Sequence, residues 1–252
     1  MTENSLSPEQ FLRYNRHLLL PGFGEEGQRK LYAQKMLVCG TGGLGSPAAF
    51  YLAAAGVGTL GLLDCDRVEI SNLNRQILHS TEDIGVEKTY SAAFKLKRLN
   101  PDAVIVEHNH RLTSEDMPDI FSEYDIVLDC TDNYHTRFLL NDTCIQLRIP
   151  LIHAGVSQYK GQAMTILPGQ SACYRCLFPE EPPQDPIPSG YGAPILGAIP
   201  GILGSIQAVE AIKRALEIGE LLTNKILTVD ALSMEIRTFT TQRDANCPVC
   251  GG

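Results

Sequence analysis

The sequence contains no tryptophan, no cluster of basic residues and no long apolar run. The formal net charge is −8, whereas a nucleic-acid-binding protein usually presents a basic face, so we predict no DNA or RNA partner. The longest apolar candidate, residues 192–204, is interrupted by proline and glycine and falls short of the ~18 residues of a membrane span. The polar N-terminus lacks the charged-then-apolar order of a signal peptide. We therefore predict a cytoplasmic protein with no membrane partner.

The chain has eight cysteines. Because thiols stay reduced in the cytoplasm, we expect these cysteines to bind metal or to take part in thiol chemistry, and not to form disulfides. Cys173 and Cys176 form one pair with a two-residue spacer, and Cys247 and Cys250 form another. Four thiolates suit tetrahedral zinc and leave no open position for water, which predicts a structural zinc site. Redox-active pairs and unrelated free thiols are the alternatives. The other four cysteines fall in or beside predicted core elements and receive no role.

Short apolar runs alternate with helical segments from residue 35 to residue 156, a pattern typical of a doubly wound, mostly parallel α/β sheet. After Val156 a strand returns without an intervening helix, which predicts antiparallel additions. We predict one domain over residues 1–252, with N-terminal helices in 1–34, the core in 35–156, and antiparallel strands with the zinc site in 157–252.

Two helices are predicted in more detail. Ser7 and Gln10 form a capping-box pattern at the start of the first helix. The last helix is predicted to bury one apolar stripe in the core, formed by Ile202, Ile206, Val209, Ile212 and Leu216.

A glycine-rich turn follows the first predicted strand. Gly40, Gly42 and Gly45 give the pattern G-x-G-x-x-G before an alanine-rich helix, and Asp64 ends the next strand. Glycines let the backbone approach a phosphate, the helix N-terminus offers its amides, and the acid can bind ribose hydroxyls. The combination predicts a Rossmann-like nucleotide-binding domain, with NAD and ATP both open at this point.

Polar residues follow the predicted second and fourth strands, at the edge where open α/β sheets bind ligands. They are Asn72, Arg75, Gln76, Lys88, Asp129, Asp132 and Asn133. Arginine and lysine can bind phosphate, and an aspartate such as Asp132 can hold Mg²⁺. Each residue alone is more often a solvated surface charge, but together they fit phosphoryl or adenylyl transfer better than hydride transfer.

Several motifs of this sequence resemble those of the ThiF/MoeB/HesA family, prokaryotic relatives of the ubiquitin-activating enzymes. The motifs are RYNRH, GTGGLGSPAAFYLAAAGVGTLGLLDCDRVEISNLNRQILH, GVEKT, LDCTDN, CYRC and CPVC. They extend from Arg13 to Cys250, so the resemblance covers nearly the whole chain. It is specific because the motifs occur in combination.

The resemblance implies an adenylyltransferase that uses ATP and Mg²⁺ to adenylate the C-terminal Gly-Gly carboxylate of a ubiquitin-like sulfur carrier protein, with pyrophosphate leaving. The activated carrier would become a thiocarboxylate for thiamine or molybdopterin synthesis, and residues 157–252 would include the carrier-binding region. The implied catalytic residues are Arg16, Arg75, Lys88 and Asp132, with Arg16 reaching the ATP of a neighbouring subunit in a homodimer. The implied nucleotide-binding residues are Gly40, Gly42, Gly43, Gly45, Asp64, Asp66, Asn72, Arg75, Gln76, Lys88, Asp132 and Asn133.

The sequence departs from the family at one position. Many relatives carry a cysteine in the loop before the last helix, where this chain has Gly190, and the adjacent Ser189 is a poor nucleophile without activation. We therefore predict that the protein stops at the acyl-adenylate and that a separate protein donates sulfur. The final Gly251-Gly252 resembles a carrier tail, but a tail directly after a zinc ligand could not easily enter an active site.

Two other function classes stay open. One is an NAD-dependent oxidoreductase on the same site, for which His153 is a candidate catalytic residue, although a packed strand histidine is the preferred interpretation. The other is a non-catalytic adaptor that binds a ubiquitin-like tail. The pathway is also open between thiamine, molybdopterin, another sulfur pathway and a small peptide acceptor.

Overall fold

The computed structural model describes residues 6–182 and 194–251. The strands are β1 Lys35–Cys39, β2 Thr59–Leu63, β3 Val104–His108, β4 Ile126–Asp129, β5 Leu151–Ser157, β6 Lys160–Ile166, β7 Lys225–Asp230 and β8 Glu235–Thr240. The helices are α1 Pro8–Leu18, α2 Gly24–Ala33, α3 Gly45–Ala55, α4 Lys88–Leu99, α5 Met117–Phe121, α6 Tyr134–Leu147, α7 Tyr174–Leu177 and α8 Ala198–Leu216. Short 3₁₀ turns cover Ile70–Asn72 and Thr81–Asp83.

All eight strands form one sheet in the order β3-β2-β1-β4-β5-β6-β7-β8. The pairs from β3 through β5 are parallel, and the pairs from β5 through β8 are antiparallel. The predicted mostly parallel sheet with antiparallel C-terminal additions is therefore confirmed. The register aligns Cys39 with Asp129, and Asp129 with His153, so the carboxyl ends of β1 and β4 lie side by side and β5 continues beyond them to Ser157.

Helices cover both faces of the parallel part of the sheet, as expected for strands that are apolar on both sides. Buried side chains of α2, α3, α4 and α8 form one core layer. Buried side chains of α5, α6 and α7 form the other layer, together with the four paired cysteines. Within the described residues, no helix is both long enough and apolar enough to cross a membrane.

The first helix begins as its sequence predicts. The Ser7 hydroxyl accepts a hydrogen bond from the Gln10 amide, and the Gln10 side chain accepts one from the Ser7 amide. Tyr14 of α1 is buried beside Gly56, where α3 ends. Because α3 has 11 residues and is about 16 Å long, α1 packs at the end of α3 that is opposite the glycine-rich turn.

The apolar stripe predicted for α8 is wrong in part. Val209 is 54% exposed and Ile202 is 37% exposed, while only Leu216 of the predicted five is fully buried. The buried face instead includes Leu203, Gln207, Glu210 and Ala211. The physical reason is close packing: a Cβ at Gly204 would lie 2.1 Å from the Leu44 carbonyl oxygen. Small and hydrogen-bonded polar residues therefore face the core.

The sequence analysis missed two short helices, α5 and α7. Segments of five and four residues are too short to show a helical period. Tertiary contacts hold α7 on α6: the Tyr174 amide donates to the Asn141 side chain at 2.8 Å, and Arg175 forms a bidentate ion pair with Asp142. These contacts orient the Cys173–Cys176 segment.

Candidate functional site

The glycine-rich turn connects β1 to α3 by a path that requires glycine. A Cβ at Gly45 would lie 1.9 Å from the Gly40 carbonyl oxygen, so any side chain there would displace the turn. No side chain caps the start of α3 at Leu44. The Ser46 amide donates to the Gly42 carbonyl at 2.9 Å, and Pro47 has no amide hydrogen. The amides of residues 43–45 and the positive end of the helix dipole are therefore what the start of α3 offers an anion such as phosphate.

Asp64 is fixed against this turn by Thr41. One carboxylate oxygen of Asp64 accepts hydrogen bonds from the Thr41 amide at 2.8 Å and from the Thr41 hydroxyl at 3.0 Å. The other oxygen accepts from the Asp66 amide at 3.0 Å. The predicted ribose-binding acid thus lies beside the predicted phosphate turn. The sequence analysis did not select Thr41, because its role depends on a contact between two separate loops.

The polar loop after β2 covers the same turn. Hypothetical Cβ atoms at Gly42 and Gly43 would lie 3.4 Å from the Gln76 amide nitrogen and 3.7 Å from Arg75 Cγ, respectively. Gln76 is buried, and its Oε1 has no hydrogen-bond partner among the described residues. The Arg75 guanidinium donates through Nη1 to the Ser71 carbonyl at 2.9 Å and to the Asn74 side chain at 3.1 Å, which holds it along the loop.

Asn72 has a local structural contact in the same loop. Its side-chain oxygen accepts a hydrogen bond from the Glu69 amide at 3.0 Å, which stabilises the 3₁₀ turn before Arg75. A nucleotide contact by Asn72 stays a prediction.

Lys88 lies at the start of α4 and is 7% exposed, with its ammonium 2.8 Å from an Asp66 carboxylate oxygen. Partial burial opposes ionisation of Asp66, but the hydrogen bond and charge of Lys88 hold the pKa of this carboxyl below its ordinary value. Asp66 in turn contacts Asp64 through its amide. The structure therefore links the predicted phosphate-binding lysine to the predicted ribose-binding acid.

Asp132 is exposed on the turn after β4. This turn is adjacent to the glycine-rich turn, since a Cβ at Gly40 would lie 2.7 Å from the Cys130 carbonyl oxygen. An exposed carboxylate at this place suits Mg²⁺, which prefers oxygen ligands from carboxylates, phosphates and water. Asn133 accepts a hydrogen bond from the Thr136 amide at 2.9 Å and caps α6, so its predicted nucleotide contact stays a prediction.

Asp129 and His153 form a buried pair behind the Asp132 turn. The imidazole Nδ1 lies 2.7 Å from Asp129 Oδ2, and each side chain is 1% exposed. Burial lowers the pKa of His153. Burial also disfavours the Asp129 carboxylate, yet the hydrogen bond from His153 brings the pKa of Asp129 below its ordinary value. The pair is therefore a carboxylate and a neutral imidazole, as the packed-histidine interpretation expects.

Arg137 is a functional candidate that the sequence analysis missed. It donates a hydrogen bond to the Thr131 carbonyl at 3.1 Å, and its guanidinium lies 5.3 Å from the centre of the Tyr134 ring. Both side chains line a cleft of about 490 Å³ on the sheet face, together with Gly155, Phe178, Arg237 and Phe239. The cleft thus extends from β8 to the first turn of α6, directly after Asp132 and Asn133.

The four paired cysteines come together, as predicted, although 70 residues separate the two pairs. Neighbouring sulfurs lie 3.3 to 3.8 Å apart, and all four lie within 4.8 Å of one another. Tetrahedral bonds of about 2.3 Å to zinc imply sulfur–sulfur distances of about 3.8 Å, so the donor set fits the ion. None of the eight cysteines of the chain forms a disulfide.

One predicted site residue lies away from this group. Arg16 is exposed on α1, which packs at the far end of α3, so the structure does not bring it to the glycine-rich turn of its own chain. Ser189, Gly190 and Gly252 lie outside the residues that the structure describes.

Three similar proteins have names that refer to related activities. The chain is 42% identical over 247 residues to the SAMP-activating enzyme E1 of Haloferax volcanii, covering 98% of this chain and 91% of that protein. It is 43% identical to the sulfur carrier protein adenylyltransferase of Thermus thermophilus, covering 96% and 92%. It is 44% identical to the adenylyltransferase and sulfurtransferase MOCS3-2 of Zea mays, but spans only 52% of that protein.

A solved structure has the same fold. The crystal structure of E. coli MccB with ATP superimposes with a TM-score of 0.85 at 25% identity, covering 100% of this chain and 76% of that chain. The model of the ThiF family matches residues 14–249. The chain belongs to the ThiF family.

Proposed function

We propose that this protein is an adenylyltransferase that activates the C-terminal Gly-Gly carboxylate of a ubiquitin-like sulfur carrier protein with ATP. The observation that carries the proposal is the pair of cations beside the glycine-rich turn. Arg75 packs against Gly43, and Lys88 is held at Asp66 next to Asp64. A dinucleotide site for hydride transfer needs no such pair, whereas a triphosphate that loses pyrophosphate does.

Each residue of the candidate site has a separate role in the proposed adenylation. The uncapped start of α3 binds phosphate, Asp64 binds the ribose, and Gln76 presents its side-chain amide nitrogen beside Gly42. The carrier carboxylate attacks the innermost phosphorus of ATP, and the electron pair of the broken phosphorus–oxygen bond leaves with pyrophosphate. Arg75 and Lys88 reduce the repulsion between the two anions and stabilise the leaving group.

Two metal ions complete the proposal. Mg²⁺ would bind Asp132 and phosphate oxygens, and it would supply further neutralisation of the triphosphate charge. Zn²⁺ would bind Cys173, Cys176, Cys247 and Cys250 as a structural ion.

The cleft on the sheet face is the proposed path of the carrier tail. Exposed residues of β8, among them Arg237 and Phe239, line its outer side, and Arg137 lies at its inner side beside the Asp132 turn. Gly155 in its floor leaves room for an extended backbone, and Tyr134, Phe178 and Phe239 offer apolar contact. A tail that follows this cleft brings its carboxylate towards the bound ATP.

We propose a homodimer in which Arg16 completes the neighbouring site. Leu12, Arg16 and Leu19 share one face of α1 by their spacing, and the two leucines are 79% and 73% exposed. An apolar face around an exposed arginine suits a protein partner. A second copy would cover the leucines and direct the guanidinium to the partner's ATP.

The remaining proposals concern the sulfur donor, the cellular location, the domain organisation and the pathway. A separate protein donates sulfur, because this chain has Gly190 at the position where many members of the family that its motifs resemble carry a cysteine. We place the protein in the cytoplasm, where free thiols persist. One adenylating domain then spans the chain. Thiamine, molybdopterin and other sulfur pathways differ in their carrier, so the carrier assay below also decides between them.

ATP–pyrophosphate exchange with a panel of purified carriers tests the proposal. We expect exchange only with a carrier that ends in Gly-Gly, loss of exchange when these glycines are removed, and loss in the folded Asp132→Ala variant. Carrier binding without exchange under every condition would favour the adaptor instead. Nicotinamide-dependent absorbance changes would favour the oxidoreductase, although the buried His153 has no access to a substrate.

A further inference from the structure

The mechanism above leaves the buried Asp129–His153 pair without a role. Its two members lie on neighbouring parallel strands, where Asp129 at the end of β4 is aligned with His153, the third residue of β5. The imidazole is packed against the Tyr174 ring, with the ring centres 4.7 Å apart. Both side chains are therefore fixed from several directions.

Asp129 also contacts the turn that contains Asp132. Its second oxygen, Oδ1, accepts hydrogen bonds from the Thr131 hydroxyl at 2.7 Å and from the Thr131 amide at 3.1 Å. The carboxylate thus closes the first part of the turn, while His153 holds the carboxylate by its other oxygen.

The same turn also orients Arg137. The Thr131 carbonyl accepts a hydrogen bond from Arg137 at 3.1 Å, and the guanidinium faces the cleft. A hypothetical Cβ at Gly155 would lie 3.5 Å from Arg137 Nη1 and 3.6 Å from His153 Nε2. Asp132 in the turn and Arg137 in α6 therefore share one support, the Thr131 segment.

We propose that His153 is a positioning residue for adenylation: by orienting Asp129, it fixes the Thr131 turn and with it the placement of Asp132 and Arg137. The inference rests on the proposed function. His153 would thus affect both Mg²⁺ binding, through Asp132, and carrier binding, through Arg137, although it contacts no substrate.

Stability alone is a poor reason for this pair. A carboxylate is costly to bury, and an apolar pair of similar volume would fill the same space without that desolvation cost. His153 Nε2 is also buried without a hydrogen-bond partner among the described residues, which costs further stability. A costly arrangement directly behind a catalytic turn favours a role in geometry.

The test compares His153→Asn with His153→Leu. The asparagine amide can occupy the place of Nδ1 and donate to Asp129, whereas leucine keeps the bulk without a donor. The readouts are kcat for exchange, the Mg²⁺ concentration for half-maximal rate, KM for the carrier, Mg²⁺-dependent ATP binding by calorimetry, and Tm. We expect the leucine variant to lose about tenfold or more in kcat and to require several-fold more Mg²⁺ and carrier, by analogy with removal of ligand-orienting partners. The asparagine variant should keep kcat, the Mg²⁺ requirement and the carrier KM within about threefold of the wild-type values.

If His153→Leu does not fold, the double variant Asp129→Asn/His153→Leu removes the buried charge together with its partner. The same kinetic losses are expected there. A folded leucine or double variant with wild-type kcat, Mg²⁺ dependence and carrier KM would overturn the inference while leaving the adenylation proposal intact. Equal losses in His153→Asn and His153→Leu that follow Tm alone would also overturn it. Absence of exchange in the wild-type protein with every carrier would overturn the proposed function and this inference with it.

Discussion

Thr41 and Asp64 form a two-point contact between the glycine-rich turn and the end of β2, through the amide and hydroxyl of one residue and one carboxylate oxygen of the other. The contact holds the ribose-binding acid in place before the nucleotide arrives. It makes Thr41 a support of the nucleotide site, although its side chain is fully buried.

Thr41→Val removes the hydroxyl donor and keeps the shape. A lost hydrogen bond to a carboxylate costs about 1 to 3 kcal/mol, and part of that cost should appear as a ~3- to 10-fold higher KM for ATP. Steady-state exchange kinetics check this expectation, with Thr41→Ser as the control that keeps the donor. An unchanged KM for ATP in the valine variant would show that the backbone contact alone orients Asp64.

Lys88 is the cation whose loss should affect chemistry most. In Lys88→Ala we expect kcat for exchange to fall by ~10²- to 10³-fold, the range seen when one donor to a developing negative charge is removed. Lys225→Ala, which breaks the exposed ion pair with Glu220, is the matched control and should keep wild-type exchange. Equal rates in the two folded variants would contradict the role of Lys88.

The paired cysteines predict one tightly bound zinc ion per chain. Elemental analysis and thermal melting of Cys250→Ser should show loss of the ion and a lower Tm, because the ligand set joins the C-terminal segment to α7. Cys65→Ser changes an exposed cysteine outside the set and should keep both zinc and Tm. A wild-type protein that contains no zinc and melts at the same temperature as the Cys250→Ser variant would exclude the zinc assignment.

The absence of tryptophan offers a direct test of the cleft. Phe239→Trp would place the only tryptophan of the chain in the cleft lining, and Tyr51→Trp would place it on α3 at similar exposure. Titration with a tryptophan-free carrier should change the emission of the first variant and leave the second unchanged. The reverse pattern would move the carrier to another surface.

Local sequence signals predicted much of this fold. The Ser7 cap and the glycine-rich turn depend on neighbours in sequence, and the structure contains them in the expected places. The apolar stripe of α8 failed because close packing against α3 and β5 selects small and hydrogen-bonded residues, such as Gly204 and Gln207, over large apolar ones.

Only the site residues whose type indicates a chemical role could be predicted from the sequence. Glycines, cations and acids at the sheet edge indicate phosphate chemistry by their type. The role of Thr41 and the pairing of Asp129 with His153 could not be predicted in this way, because they depend on contacts between residues 23 and 24 positions apart. The role of Arg137 depends on its place in the cleft that the folded sheet forms. Those contacts emerge only when the strands are aligned.

The central claim is that a carrier carboxylate attacks the innermost phosphorus of ATP. It can be tested by labelling the C-terminal carboxylate of the carrier with the heavy isotope of oxygen and cleaving the activated carrier at its carbonyl carbon with hydroxylamine. If the account is right, mass spectrometry will find one labelled oxygen in the released AMP and none in pyrophosphate. Unlabelled AMP, or release of ADP with label in phosphate, would contradict it.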